Sequence, residues 1–302
     1  MDMIGAIIGD IAGSRFEFEN YQAKDFEIFN DDCYFTDDSI MTIALGRAFW
    51  ECDGQYDNLS KWAVKCMQEL GRPYPNCRYG RNFHRWIYSC SPQPYNSFGN
   101  GAAMRVSAAG IMATSIEEVK QFSYAITKVS HDNPEGLKGA ESVAVAIYLA
   151  RKGYAKSEIK EFIENNYYKL DFTLEEIRGD YSFDVTCQGS VPQALESFFE
   201  AQNFEDAIRN AVSIGGDSDT IAAITGSIAE AYFGVPEEFR LKAYTYFDNS
   251  KDKELINWLQ IFEFYFQDYL PRDKANFVSM LREYIEKYGT KNFDKILDKV
   301  KV

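Results

Sequence analysis

The chain of 302 residues predicts an all-α fold of ten or more helices. Apolar residues recur at three- and four-residue spacing through 60–70, 117–129, 138–152, 193–212, 253–267 and 275–288, the spacing that lines one face of a helix. Alternating apolar and polar stretches of the strand type are scarce. No internal repeat and no low-complexity linker interrupts the pattern, which argues against a solenoid.

The first element lies in GAIIGDIAGSRFEFE, residues 5–19. Gly5, Gly9 and Gly13 are four apart and share one helical face, as close packing against another helix requires. Asp10 and Glu17 are its polar exceptions; Glu17 follows the helix end and is either within reach of a metal or simply solvated. In FTDDSIMTIALGRAFW, residues 35–50, Thr36, Asp37 and Asp38 precede an apolar helix. Threonine or aspartate there caps a helix and favours the positive end of its dipole, but three oxygen-bearing residues exceed what one cap needs. Residues 72–100 hold Pro73, Pro75, Pro92 and Pro94, four of the eight prolines, in an aromatic, turn-rich stretch of the kind that lines a cleft.

In NSFGNGAAMRVSAAG, residues 96–110, Gly99 and Gly101 flank Asn100 before a helix. Such a turn presents backbone N–H groups to an anion, although no Gly-Lys-Ser/Thr follows to make a P-loop. Arg105 is either a phosphate ligand or half of a structural ion pair. In SHDNPEGLKGAESVAVAIYLAR, residues 130–151, His131 precedes a proline turn and a long apolar helix; it is either a structural hydrogen bonder or a functional group, and Glu135 and Gly136 share its loop. In SIGGDSDTIAAITGSIAEAYFG, residues 213–234, Gly215 and Gly216 form a turn, and Asp217, Asp219 and Thr220 open a helix of small residues. From about residue 237 the sequence becomes aromatic and charged. Residues 241–302 read as a C-terminal helical layer on a single domain spanning 1–302, with the core in 3–240.

Lysine and arginine total 32 and aspartate and glutamate 46, a formal net charge of −14. That balance excludes nonspecific nucleic-acid binding, which needs cations to displace counterions from phosphates, and an anionic membrane surface. With two histidines, His84 and His131, a metal must be held mostly by oxygen. The six cysteines show no C-x-x-C pair and read as reduced thiols. The acidic start lacks the basic region of a signal peptide, and no apolar stretch is long enough to span a bilayer. The expectation is a cytoplasmic protein, monomeric by preference.

Two helix starts thus each offer two aspartates and a threonine. Four carboxylates brought together repel one another unless neutralised, and hard divalent cations neutralise them with oxygen ligands.

The combination of TDDS, GNGAAMR, HDNPEGLKGA and GGDSDTIAAITGSIAEAYFG, in that order, resembles the ADP-ribosylglycohydrolases over residues 3 to about 240. The resemblance implies an all-α orthogonal bundle, a centre of two Mg2+ or Mn2+ ions, and hydrolysis of the glycosidic bond between ADP-ribose and an acceptor, commonly a protein side chain. It implies Thr36, Asp37 and Asp38 as ligands of one metal. Asp219 becomes the bridging ligand, Asp217 and Thr220 ligands of the second metal, and Glu17 a ligand or gate beside it. Substrate contacts would come from Ser97, Phe98, Gly99, Asn100, Gly101, Ala102 and Met104, with His131 and Gly136. The segment from Gln188 to Val191 would border the adenine. Asp37 or Asp38 is the expected base or water-orienting group, with Glu17 as a further catalytic acid.

The expected partners are ADP-ribose and ADP-ribosylated protein, with arginine slightly favoured as acceptor. A guanidinium needs a nearby carboxylate, for which Glu17, Asp132 and Glu135 are candidates, and the loop 72–98 is expected to decide. An ADP-ribosylated small molecule as substrate, a metal-dependent nucleotide phosphohydrolase and a noncatalytic ADP-ribose-binding module are the competing readings.

Overall fold

The computed structural model describes residues 3–247 and 249–265. Among these residues fourteen α-helices run in chain order: α1 Ile4–Gly13, α2 Asp37–Cys52, α3 Leu59–Gly71, α4 Arg81–Tyr88, α5 Ser107–Met112, α6 Ile116–Thr127, α7 Pro134–Arg151, α8 Lys156–Asn166, α9 Leu174–Ile177, α10 Cys187–Glu200, α11 Phe204–Val212, α12 Ser218–Phe233, α13 Glu237–Tyr244 and α14 Lys253–Tyr265. The all-α expectation holds: among the described residues the β-type pairing is an isolated antiparallel bridge between Gly99 and Thr186.

The core is organised around α12, whose residues from Ser218 to Glu230 are all buried. A helix of this kind is enclosed by others on all sides; α1, α7, α10 and α11 surround it. The closest partner is α1, and the glycine face explains why. A Cβ built at Gly9 would stand 2.0 Å from the Ala222 carbonyl oxygen, and one at Gly5 2.3 Å from that of Gly226. Backbone therefore lies against backbone along this seam. The buried Glu230 closes the far end by accepting a hydrogen bond from Gly5 N at 2.8 Å, a carboxylate at the positive end of a helix.

The periodic stretch 193–212 is two helices rather than one. The break at 201–203 comes from Asn203, whose side-chain oxygen accepts from Asp206 N at 2.9 Å and starts α11 afresh. Periodicity alone did not reveal it, because α10 and α11 turn their apolar faces to the same core. Pro134 opens α7 at its first position, behind an Asn133 cap. Of the C-terminal layer, α13 packs on α1 and α14 on α2, with Trp258 6.3 Å from Trp50, centroid to centroid. The stretch 275–288 and the end of 253–267 lie outside the described residues. The six cysteines form no disulfide, and no described helix is long and apolar enough to cross a membrane.

Candidate metal centre and cleft

The α1–α12 seam brings the end of α1 to the start of α12, and the start of α2 is tied to the same point by Asp10. One Asp10 carboxylate oxygen accepts from Thr36 N at 2.8 Å and Ser39 N at 3.1 Å, the other from Thr36 Oγ1 at 2.7 Å, and Ser39 Oγ donates as well. Asp10 thus takes up N–H groups that a helix start leaves unpaired and fixes the 36–39 turn. Thr36 caps α2 by accepting from Asp38 N at 3.3 Å. Its neighbour Asp38 is left to point inward, one oxygen accepting from Thr220 Oγ1 at 3.3 Å and the other, Oδ1, buried with no partner.

At α12 the capping explanation fails. Asp217 occupies the cap position without capping; its Oδ2 instead accepts from Asn100 Nδ2 at 2.6 Å. Gly215 and Gly216 both take positive φ, 76° and 74°, a turn that other residues rarely make twice in succession. That turn delivers Asp217 and Asp219 to the centre.

Two carboxylate triads result: Asp10 with Asp38 and Asp219, and Glu17 with Asp217 and Asp219. Within each triad one oxygen per residue lies within 4.8 Å of the others, all the residues are buried, and Asp219 belongs to both. Asp37 lies beside them, partly open to the cleft. Burial raises every one of these carboxyls. Asp10 is pushed up to about 6 despite its hydrogen bonds from Ser39 and Thr36. Asp37, Asp38 and Asp219 rise well above the ordinary carboxylate range, by burial first and then by nearby charge, that of Asp10 on Asp37 and Asp38 and that of Asp217 on Asp219.

Glu17 also pairs with Arg78. Arg78 sits at φ 55°, with its guanidinium 4.9 Å from the Phe18 ring centre and 4.8 Å from that of Tyr34.

The centre forms the floor of a cleft of about 640 Å³. Of the residues anticipated for substrate contact, Ser97, Gly99, Asn100, Gly101, Met104 and His131 line it, as do Glu17, Asp37, Asp38, Asp217, Asp219 and Thr220. Thr36 sits behind the wall, held by Asp10. Phe98 is 46% exposed away from the cleft, Ala102 is fully buried, and Gly136 packs on the Ser97 carbonyl. In the Gln188–Val191 segment Gln188 is exposed, while Ser190 accepts from Asn100 Nδ2 at 3.1 Å; the wall there is made by Phe183 and Val185.

The Gly99–Gly101 turn offers an anion fewer donors than its sequence suggests. Gly99 N is spent on Ser97 Oγ at 3.2 Å, Asn100 N on the Val185 carbonyl at 2.8 Å, and Ala102 N on the Gly99 carbonyl at 3.1 Å.

Sequence reading missed Asp10 as a site residue, and its signal was present: a lone acid in an apolar helix is buried, and a buried acid needs partners. Arg78, Phe18 and Phe183 carried no such signal, since each reads as an ordinary loop residue.

The description "ADP-ribosylglycohydrolase" belongs to the family model that matches residues 3–260. Among relatives, ADP-ribosylhydrolase ARH3 of Mus musculus is 24% identical over 79% of this chain and 85% of that protein. The ADP-ribosyl-dinitrogen reductase glycohydrolase of Rhodospirillum rubrum is 24% identical over 67% and 70%. A solved structure titled "ADP-ribosylglycohydrolase-related protein complex" shares the fold with a TM-score of 0.63 at 19% identity, over 85% of this chain and 93% of that one. With a match across most of its length, the chain belongs to the ADP-ribosylglycohydrolase family.

Proposed function

We infer that the protein is a hydrolase that releases ADP-ribose from an ADP-ribosylated acceptor, with a centre of two divalent cations, Mg2+ or Mn2+. The observation that carries this reading is the pair of buried carboxylate triads sharing Asp219 on the floor of the cleft. The donor set fits such ions: every candidate ligand is a hard oxygen, among the described residues the carboxylates lack cationic partners apart from Arg78, and Asp38 Oδ1 is a buried acceptor with nothing donating to it. Asp10, Asp38 and Thr220 would hold one ion and Glu17 and Asp217 the other, with Asp219 common to both. Thr36 stays a candidate ligand beside Asp10, since a hydroxyl that donates to a carboxylate, as Thr36 does to Asp10 and Thr220 to Asp38, keeps its lone pairs for a cation. When bound, the ions supply positive charge for ribose hydroxyls and lower the pKa of water.

The chain's own residues do the rest. Asn100, fixed by Asp217 and Ser190, holds the substrate turn against the centre. Asp37, open to the cleft and bathed in negative potential, orients water and accepts its proton. Phe83, Tyr95, Phe183 and Val185 give the cleft apolar walls that exclude bulk water from a bond whose cleavage passes through an oxocarbenium-like state.

The acceptor follows from who is already paired. An arginine acceptor needs a free carboxylate, yet Glu17 is paired with Arg78, Glu135 with Lys138 at 2.8 Å, and Asp132 accepts from Asn96 N at 2.7 Å. With these three carboxylates engaged, and Glu17 held by the Arg78 guanidinium in the cleft lining, a hydroxyl-linked acceptor is favoured over the arginine the sequence suggested. The test is release of ADP-ribose from serine-linked and arginine-linked peptides, with Mg2+ and with chelator. Mg2+-dependent release from the serine-linked peptide is expected. Release from the arginine-linked peptide alone overturns the acceptor assignment, and release of phosphate or no release from either overturns the activity.

The raised carboxyls give a second test. A carboxyl with a raised pKa binds protons on folding, so the ion-free protein loses stability as pH rises from the ordinary value near 4 through about 6 and above. Cations displace those protons. The gain in Tm on adding Mg2+ is therefore expected to be larger at pH 8 than at pH 5.5, and equal gains would place the cation elsewhere.

A further inference from the structure

We propose that Arg105 is a positioning residue that fixes the tautomer of His131, leaving the His131 Nε2–H as a standing hydrogen-bond donor to an oxygen of the bound ADP-ribosyl group. The proposal rests on the reading of the cleft as an ADP-ribosyl site. It assigns His131 a role that excludes proton transfer.

Arg105 is 1% exposed, and among the described residues it makes no ion pair, so the structural pairing its sequence position suggested is not formed. Its Nη2 donates to Ser130 Oγ at 2.6 Å and lies 3.2 Å from His131 Nδ1. Its guanidinium carbon is 5.0 Å from the Phe83 ring centre, and its Nε and Nη1 have no hydrogen-bond partner. A guanidinium holds donors only. His131 Nδ1 facing it must therefore be the acceptor, and in a neutral imidazole the single N–H is then on Nε2. Ser130 Oγ, 2.9 Å from the same Nδ1, accepts from Arg105 and has its own proton free for Nδ1, which reinforces the same tautomer.

The other ring nitrogen points to where a ligand would lie. A Cβ built at Gly101 would stand 3.4 Å from Nε2 and one at Gly99 3.8 Å, and both glycines and His131 line the cleft. The turn whose own N–H groups are largely spent thus gains a donor from beneath it. A second proton would have to enter at Nδ1, against the guanidinium. Burial first and the Arg105 charge second accordingly hold the ring well below the usual histidine range. The other titratable groups felt by the pair are Tyr95, Asp37 and Cys187.

The chain has two histidines, so the tautomer can be read directly by long-range 1H–15N NMR of the labelled full-length protein, with His84→Gln giving the assignment. His131 is expected as the neutral Nε2–H form throughout pH 5.5–8. In Arg105→Leu and in Ser130→Ala/Arg105→Leu, a mixture of tautomers or a ring that titrates is expected, while Arg105→Lys, which keeps an obligate donor, restores the Nε2–H form. Affinity for ADP-ribose, measured with Mg2+ saturating, should follow. At pH 8 the Kd for ADP-ribose should rise about threefold in the leucine variants, whose ring can place its proton on Nδ1, and return to the wild-type value in Arg105→Lys. An Nδ1–H form in the wild type, or an Nε2–H form unchanged in both Arg105→Leu and Ser130→Ala/Arg105→Leu, overturns the proposal. An Nδ1–H form in the wild-type spectrum overturns it even if the leucine variants fail to fold. Failure to bind ADP-ribose with the Nε2–H form in place would instead overturn the functional reading.

Discussion

Asp219→Asn is expected to reduce hydrolysis by about three orders of magnitude or more while leaving the ion-free protein at least as stable as the wild type. Asp219 is the member common to both triads, so a single oxygen lost there would weaken both proposed cation positions together. The structural cost is small, because asparagine keeps the shape and the acceptor that Thr220 N uses at 2.9 Å. The electrostatic change is favourable without ions: Asp219 is raised by burial and then by Asp217, Asp38 and Glu17, and removing its charge relieves that repulsion. The ion-free Tm at pH 8 should rise and the increment from Mg2+ should largely vanish. Asp10→Asn separates ligand from scaffold. Its amide oxygen can still accept from Thr36 N and Ser39 N, but its NH2 would then face the Thr36 hydroxyl that now donates to Asp10, so it should lower both Tm and activity. Turnover in Asp219→Asn within tenfold of wild type, with the Mg2+ increment intact, would remove Asp219 from the centre.

The contrast between these two aspartates shows what was legible in the sequence. Asp219, like Asp37, Asp38 and Asp217, stands in a cluster at a helix start, and clustering is a property of adjacent positions. The all-α class was legible for the same reason, since helical periodicity is local. Asp10 acts through Thr36 and Ser39, 26 and 29 positions away, and only the packing of α1 on α2 brings them together. The Arg78–Glu17 pair spans 61 positions, and Arg78 belongs to a loop whose side chains no periodic pattern orients. Its consequence for the acceptor was hidden although the loop itself was singled out. The Gly99–Gly101 turn failed in the opposite sense: the motif was visible, but the carbonyl of Val185 that consumes one of its N–H groups comes from a distant segment.

Gly9→Ala is expected to destabilise the fold by about 3 kcal/mol or more, although it adds one methyl group and raises intrinsic helix propensity by about 1 kcal/mol. The new Cβ would lie 2.0 Å from the Ala222 carbonyl oxygen, 2.3 Å from its carbon and 2.7 Å from Ala223 N. Those atoms are the backbone of a buried helix and cannot rotate aside, so α1 and α12 must part. Gly179→Ala, with nothing within 4 Å of its Cβ, should be neutral or slightly stabilising in the same denaturation experiment. The damage should also reach the centre. Asp10 follows Gly9 directly, and at the end of the same seam a Cβ at Gly13 would meet the Asp219 backbone at 2.6 Å. Widening the seam therefore separates Asp10 from Asp219. Any folded Gly9→Ala protein should require more Mg2+ for the same gain in Tm. A variant with wild-type Tm and wild-type Mg2+ response would mean that the glycine face does not set the distance between the two helices, and the seam would lose its role as the scaffold of the carboxylates.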